Sequence, residues 1–360
     1  MTTYVIRRLL LMIPTLIGIT AVVFFVMAMS PGGVGGSLLN ELGEMEAEKA
    51  QAMREYYNQR YGLDKPLIVQ YARWLNQISP IGFETTQTAE GVKFGGFGFK
   101  WPDLGVSFSK GRPVIDLYKE ALPVTLLLNL VTMPIVYIIA IFSGIYAARH
   151  RGKLIDIGSG VTLLGLWSIP TIWAGVMLIE FFASREYWYW FPSSGLNSTL
   201  ATQMSFLPSW SGGEFERGWL LDRCWHLVLP VACLTYGGFA FLSKLMRSAM
   251  LENLSADYVR TARAKGLSDR VVLWQHAFRN SLLPLITIAA GIVPGLLAGS
   301  VIVEKIFSIP GMGLLTIDAI YARDRELVLA GALIAGLLSM ISILIADLCY
   351  VLADPRVSYD

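Results

Sequence analysis

Residues 255–284 read SADYVRTARAKGLSDRVVLWQHAFRNSLLP, the only long polar interval between apolar segments with the basic character of a cytosolic loop. Ser255 can N-cap a helix with Asp257 in its first turn, where a carboxylate suits the helix dipole. Gly266 can close that helix in the left-handed conformation, and Ser268, with Asp269 beside it, can cap a second one. Tyr258 and Ala262 fall four residues apart with Val259 next to them, a short apolar strip. Arg260, Arg263 and Lys265 take much of the remaining surface. Two readings stand at this point: a basic solvated loop, or a docking helix for a cytosolic protein.

Outward from this loop the chain is apolar on both sides. His226–Ser248 ends in Lys244 and Arg247, Leu282–Val303 follows the loop, and Leu327–Leu352 is closed by ADPR. Upstream lie Leu9–Met29, Leu122–Ala148 with Pro123 and Pro134, and Ile155–Phe182 with Pro170 midway. Each reaches the roughly 20 residues that a bilayer crossing needs. Across 360 residues, 54% are hydrophobic and 16% charged, with mean hydropathy +0.53, too apolar for an ordinary soluble protein. Arg7-Arg8 ahead of the first span resembles a signal peptide. The apolar core is longer than a signal core and Pro31 follows Ser30, so the expectation is an uncleaved helix. Pro14 inside it is tolerable in lipid.

The expected fold is an all-α polytopic membrane protein of six transmembrane helices. Residues 1–30 form the first helix, 31–120 an external soluble insertion, 121–353 a core of five helices with a cytosolic loop at 249–281, and 354–360 a tail. Six spans put both termini in the cytosol. The proposed inside segments, 1–8, 149–153, 244–279 and 354–360, hold about 13 of the 29 basic residues in about a sixth of the chain. In the external segment, Glu41–Tyr57 is rich in helix formers and GLDKPLIVQYARWL predicts a helix from near Pro66. Pro80–Leu104 shows no sustained period, leaving open a substrate-facing loop or a surface insertion. Trp188, Tyr189 and Trp190 fit an interfacial belt.

The chain carries no Walker A pattern, HExxH or GxSxG elbow, so it has no recognisable phosphate cradle or hydrolase site, and no cofactor is expected on it. Cys224, Cys233 and Cys349 lack metal-ligand spacing and read as packing residues, and His150, His226 and His276 are scattered, so no metal site is expected. Nothing reads as nucleic-acid binding. Glu180 and Asp347 lie near span ends, either as transport-path carboxylates or as charges reaching an interface. Gly291, Gly295 and Gly299 form a small-residue ridge on the fifth span, for packing within the chain or against a second subunit. In EKIFSIPGMGLLTIDAIYARDREL (Glu304–Leu327), Pro310-Gly311 predicts a turn and Gly313–Arg323 a short helix at the outer face.

YVRTARAKGL followed by HAFRNSLLP resembles the cytosolic loop of ABC-importer permeases of the dipeptide/oligopeptide type. The general family pattern is Glu-Ala-Ala, three residues, then Gly. Here Arg260, Thr261 and Ala262 stand at the first three positions and Gly266 at the last, a departure that the peptide-permease branch shares. GLDKP, the Gln70-Tyr71-x-x-Trp74-Leu75 run, Asp103–Ser107 and Glu-x-x-Phe-x-x-Pro-Gly-x-Gly followed by Arg-Asp also match. The resemblance implies a type I importer permease paired with a second homologous permease, two ABC ATPase subunits binding ATP and Mg, and an extracytoplasmic substrate-binding protein, in the inner membrane. It implies that Tyr258, Thr261, Ala262, Ala264, Lys265, Gly266 and Leu267 couple to the ATPase. Pro310, Gly311 and Gly313 become architectural or gate-lining. The WQHAFRN run and the GGFAFL stretch lean towards permeases for microcin-C-like or longer oligopeptides, although nickel and sugar importers share the architecture. The rival is an ATP-independent secondary transporter or channel, which would need an intramembrane ion site.

Overall fold

The computed structural model describes residues 2–29, 55, 62, 65–88, 91–107, 109–211, 214–289, 300–322 and 324–353. The chain divides into two compact units, Met1–Lys119, Thr316–Met340 and Tyr359–Asp360 in one, and Glu120–Leu315 and Ile341–Ser358 in the other. The expected helix at Glu41–Tyr57, the ridge Gly291, Gly295 and Gly299, and the tail 354–360 lie outside the described residues.

The first unit starts with α1 (Thr2–Met29), which keeps Pro14 inside an unbroken helix. After Pro66 comes α2 (Leu67–Ile78), whose apolar stripe buries Trp74 and Ile78 against Phe24 of α1. The Tyr71 hydroxyl donates to the Ile17 carbonyl at 2.8 Å, fixing the register of the two helices. The stretch expected to lack regular structure is an antiparallel hairpin, β1 (Ile81–Thr88) with β2 (Gly91–Phe99), irregular between Phe83 and Thr85. Asn76 pins the hairpin to α2, accepting from the Phe83 amide at 2.9 Å and donating to its carbonyl at 3.0 Å. A short pair, β3 (Val106–Ser107) and β4 (Arg112–Pro113), leads into α3 (Val114–Arg149), which carries Pro123 and Pro134.

In the second unit the expected third span is two helices, α4 (Leu154–Ser168) and α5 (Thr171–Ala183), bent by 95°. Proline disfavours helical geometry at the residue before it, and both Ile169 (ψ 121) and Pro170 (ψ 138) are extended. Another small hairpin, β5 (Ser209–Ser211) with β6 (Glu214–Glu216), precedes α6 (Gly218–Ser255), 38 residues long with Pro230 inside. Then come α7 (Asp257–Ala264) and a helical run, α8 (269–281), made of Asp269–Val271, a π-helical stretch Val272–Phe278 and Arg279–Ser281. After helical residues 283–289 the described chain resumes with α9 (Val301–Ile306), α10 (Met312–Tyr321) and α11 (Arg325–Ala353).

Among the described residues four helices are long and apolar enough to cross a membrane, within α1, α3, α6 and α11, and the bent α4–α5 pair passes as a fifth. One apolar cluster joins Leu128, Leu227, Leu229, Val303, Phe307 and Ile309. A second lies under α7.

Candidate coupling site

α7 is a two-turn helix with its faces sharply divided. Val259 is fully buried and Ala262 is 5% exposed, whereas Tyr258, Thr261, Ala264, Lys265 and Leu267 face outward. The buried pair packs with Ile145 and Ala148 of α3, Met246 and Met250 of α6, and Val272, Leu273 and Ala277 of α8. Any displacement of α7 is therefore felt at the ends of two long helices and at the start of the next, because close-packed interiors transmit strain. Ala262 belongs to the anchor of this helix. Its methyl faces the chain's own core.

Both ends of α7 are built from local chemistry. Ser255 is the last residue of α6, its hydroxyl donating to the Glu252 carbonyl at 2.8 Å, so the expected N-cap is instead Ala256, with no side-chain cap. The Tyr258 hydroxyl donates to the Asn253 side chain, and Asn253 in turn donates to the Ala249 carbonyl at 2.9 Å, tying the outward face back to α6. At the far end Gly266 takes φ +81, and its amide donates to the Arg263 carbonyl at 2.9 Å. This left-handed closure is the one the sequence predicts. The Ser281 hydroxyl, fully buried, shares its proton between the Ala277 carbonyl of its own helix at 2.8 Å and the Ala249 carbonyl of α6 at 3.1 Å.

Asp156, at the start of α4, is a residue that sequence reasoning missed. It is 5% exposed and accepts from Arg247 of α6, with Nη2 to Oδ2 at 2.7 Å, and from the Gly152 amide at 2.9 Å. Its signal was a lone carboxylate in the first turn of an otherwise apolar helix.

The Glu304–Leu327 signature resolves into two separate nodes. In the second unit, buried Glu304 accepts from the Thr125 hydroxyl at 3.1 Å and the Leu314 amide at 2.8 Å, and Thr125 accepts from the Met312 amide at 2.8 Å. A Cβ on Gly311 would stand 2.6 Å from the Glu304 carboxyl carbon, and one on Gly313 2.7 Å from the Val301 nitrogen. Both glycines are thus required by close approach, after a turn at Pro310. Burial pushes the Glu304 carboxyl above the usual carboxylate range, opposed by these hydrogen bonds. In the first unit, Asp324 accepts from the Ser107 hydroxyl at 2.6 Å and from the Ser109 amide at 3.1 Å, joining two signatures far apart in sequence.

Glu180 is exposed on α5, and Asp347 is half-buried on α11. Cys224 and Cys233 are free, and no cluster of His, Cys, Asp or Glu fit for a metal occurs among the described residues.

Comparison with known proteins fits this architecture over its whole length. Residues 140–359 match the family described as "Binding-protein-dependent transport system inner membrane component", and residues 1–129 match its N-terminal membrane-component family. The chain is 36% identical to the oligopeptide transport system permease protein AppB of Bacillus subtilis (strain 168), over all of both chains. It is 35% identical to the di/tripeptide transport system permease protein DppB of Pseudomonas aeruginosa (strain UCBPP-PA14), covering 100% of this chain and 99% of that one. It is 30% identical to the inner membrane ABC transporter permease protein YejB of Escherichia coli O157:H7, again over all of both chains. With its apolar helices and its anchored two-turn helix between α6 and α8, this chain belongs to the binding-protein-dependent transport system inner membrane components, the permease subunits of ABC importers.

Proposed function

We propose that the chain forms half of the translocation path of an ATP-driven peptide importer, and that α7 is the helix through which the ATPase acts on it. The second half is a homologous permease, two ATPase subunits carry ATP and Mg, and an external binding protein delivers the peptide. Both termini and α7 face the cytosol, in line with the basic residues at 7–8, 149–153 and 244–279. The observation that carries this reading is the division of α7 into a buried anchor and an outward face. Peptide as the substrate class is supported by the oligopeptide and di/tripeptide names of the relatives.

The test pairs two neighbouring substitutions in a tagged chain recovered from native membranes in mild detergent. The unmodified chain is expected to bring with it a second permease and Walker-containing ATPases. Thr261→Arg, on the outward face, should leave insertion and melting unchanged while cutting ATPase recovery and peptide uptake by about tenfold or more, the effect of ~1.4 kcal/mol at an interface. Ala262→Asp buries a carboxylate in the anchor and should lower the amount of folded chain itself, by about 3–5 kcal/mol. Normal ATPase recovery and uptake with Thr261→Arg would remove α7 from the interface.

A further inference from the structure

Beside the anchor of α7 the chain carries a basic hollow that the docking reading leaves unused. A cavity of about 480 Å³ is lined by Arg149, Arg263 and Arg270 together with Leu254, Leu273 and Trp274. That volume is within the range of small-ligand sites. The three guanidiniums come from three different elements, the last residue of α3, the last turn of α7 and the first turn of α8. One carboxylate accompanies them, Asp269, whose oxygen is 3.8 Å from Arg263 Nε and whose side chain is 93% exposed. So exposed a pair contributes little, and the hollow keeps an excess of positive charge.

We infer that this cavity binds the phosphate of an anionic phospholipid headgroup, an inference that rests on the cytosolic placement of α7 proposed above. Guanidinium forks match phosphate oxygens, and three arginines from separate elements line this one cavity. Two features favour a lipid over a soluble anion. Arg149 directly follows the apolar run 122–148 of the membrane-crossing helix α3, so the cavity borders the inner end of that span, and Leu254 and Leu273 give its lining an apolar part beside the arginines. The indole of Trp274, 39% exposed, suits the same boundary. Because Arg263 sits on α7 and Arg149 on α3, a bound headgroup would brace the coupling helix against the end of the span that it moves.

The test uses the whole complex carrying the tagged chain, in nanodiscs of phosphatidylcholine with or without phosphatidylglycerol, followed by native mass spectrometry of retained lipid. The unmodified complex should retain phosphatidylglycerol selectively and keep it when inorganic phosphate is added. R149Q/R270Q removes two exposed guanidiniums and should lower that retention roughly twenty-five-fold, about fivefold for each charge. K153Q, outside the cavity, should leave it unchanged. Equal retention by R149Q/R270Q and the unmodified complex would overturn the site, and displacement by inorganic phosphate would make it a soluble-anion site instead. Loss of ATPases from R149Q/R270Q with lipid retention intact would assign the arginines to an acidic surface of the ATPase. Absence of ATPases from the unmodified complex would instead overturn the importer reading, with lipid retention still measurable on the chain alone.

Discussion

At the scale of single residues, Glu304 shows how a sequence signature becomes a structural demand. Its carboxyl is buried against neutral donors, so removing it strands them. Glu304→Ala should cost about 1–6 kcal/mol, one to two orphaned buried donors at about 1–3 kcal/mol each, whereas Glu304→Gln can accept from Leu314 and donate to Thr125. The pH dependence has a definite sign. Burial raises the folded-state pKa above the ordinary 4.5, so the folded chain holds the proton more tightly than the unfolded one. The stabilisation is full below about pH 4.5 and is lost as pH rises through the folded value. Melting of the unmodified chain should therefore weaken relative to Glu304→Gln from pH 4.5 towards neutrality; a difference that stays constant over that interval refutes the assignment. The Glu-x-x-Phe-x-x-Pro-Gly-x-Gly spacing was legible in the sequence. Its cause was not, because Thr125, which completes the node, lies far away in the chain. The pairing of Asp156 with Arg247 escaped for the same reason: the two lie far apart in the chain until the fold brings them to 2.7 Å.

At the scale of elements, apolar runs long enough to span and the Gly266 closure could be read directly, since both follow from local composition. The hairpin at 81–99 could not. Its second strand, GVKFGGFGF, dilutes a period-two pattern with glycine, and the bulge between Phe83 and Thr85 interrupts the first. Prolines were the harder case. Pro14, Pro123, Pro134 and Pro230 stay within helices, but Pro170 divides one by 95°. The break frees the Ile169 carbonyl, and the Tyr236 hydroxyl of α6 donates to it at 2.7 Å. In lipid such a carbonyl has no water to turn to. Tyr236→Phe should destabilise the chain in a bilayer by about 1 kcal/mol and should do so less in a detergent that admits water. An equal, negligible effect in both media would mean that the break is held by packing alone.

At the scale of the whole molecule, the number of crossings decides on which side the C-terminal end emerges. Among the described residues four helices are long and apolar enough to cross, or five with the bent pair counted once. The apolar segment 282–303, helical at 283–289, supplies the sixth only if it passes fully through. The segment from Asp257 to Ser281 and the N-terminal residues then share one side with the tail. A chain whose three cysteines are replaced, carrying one new cysteine at a time, tests this with a membrane-impermeant thiol reagent on intact spheroplasts. Thr3→Cys, Thr261→Cys and Ser358→Cys should stay unlabelled until the cells are broken, while Asn197→Cys and Gln87→Cys should label at once. Labelling of Ser358→Cys from outside, with Thr261→Cys still protected, would require an odd number of crossings after α7. The segment 282–303 would then enter and leave on the same face instead of crossing the bilayer.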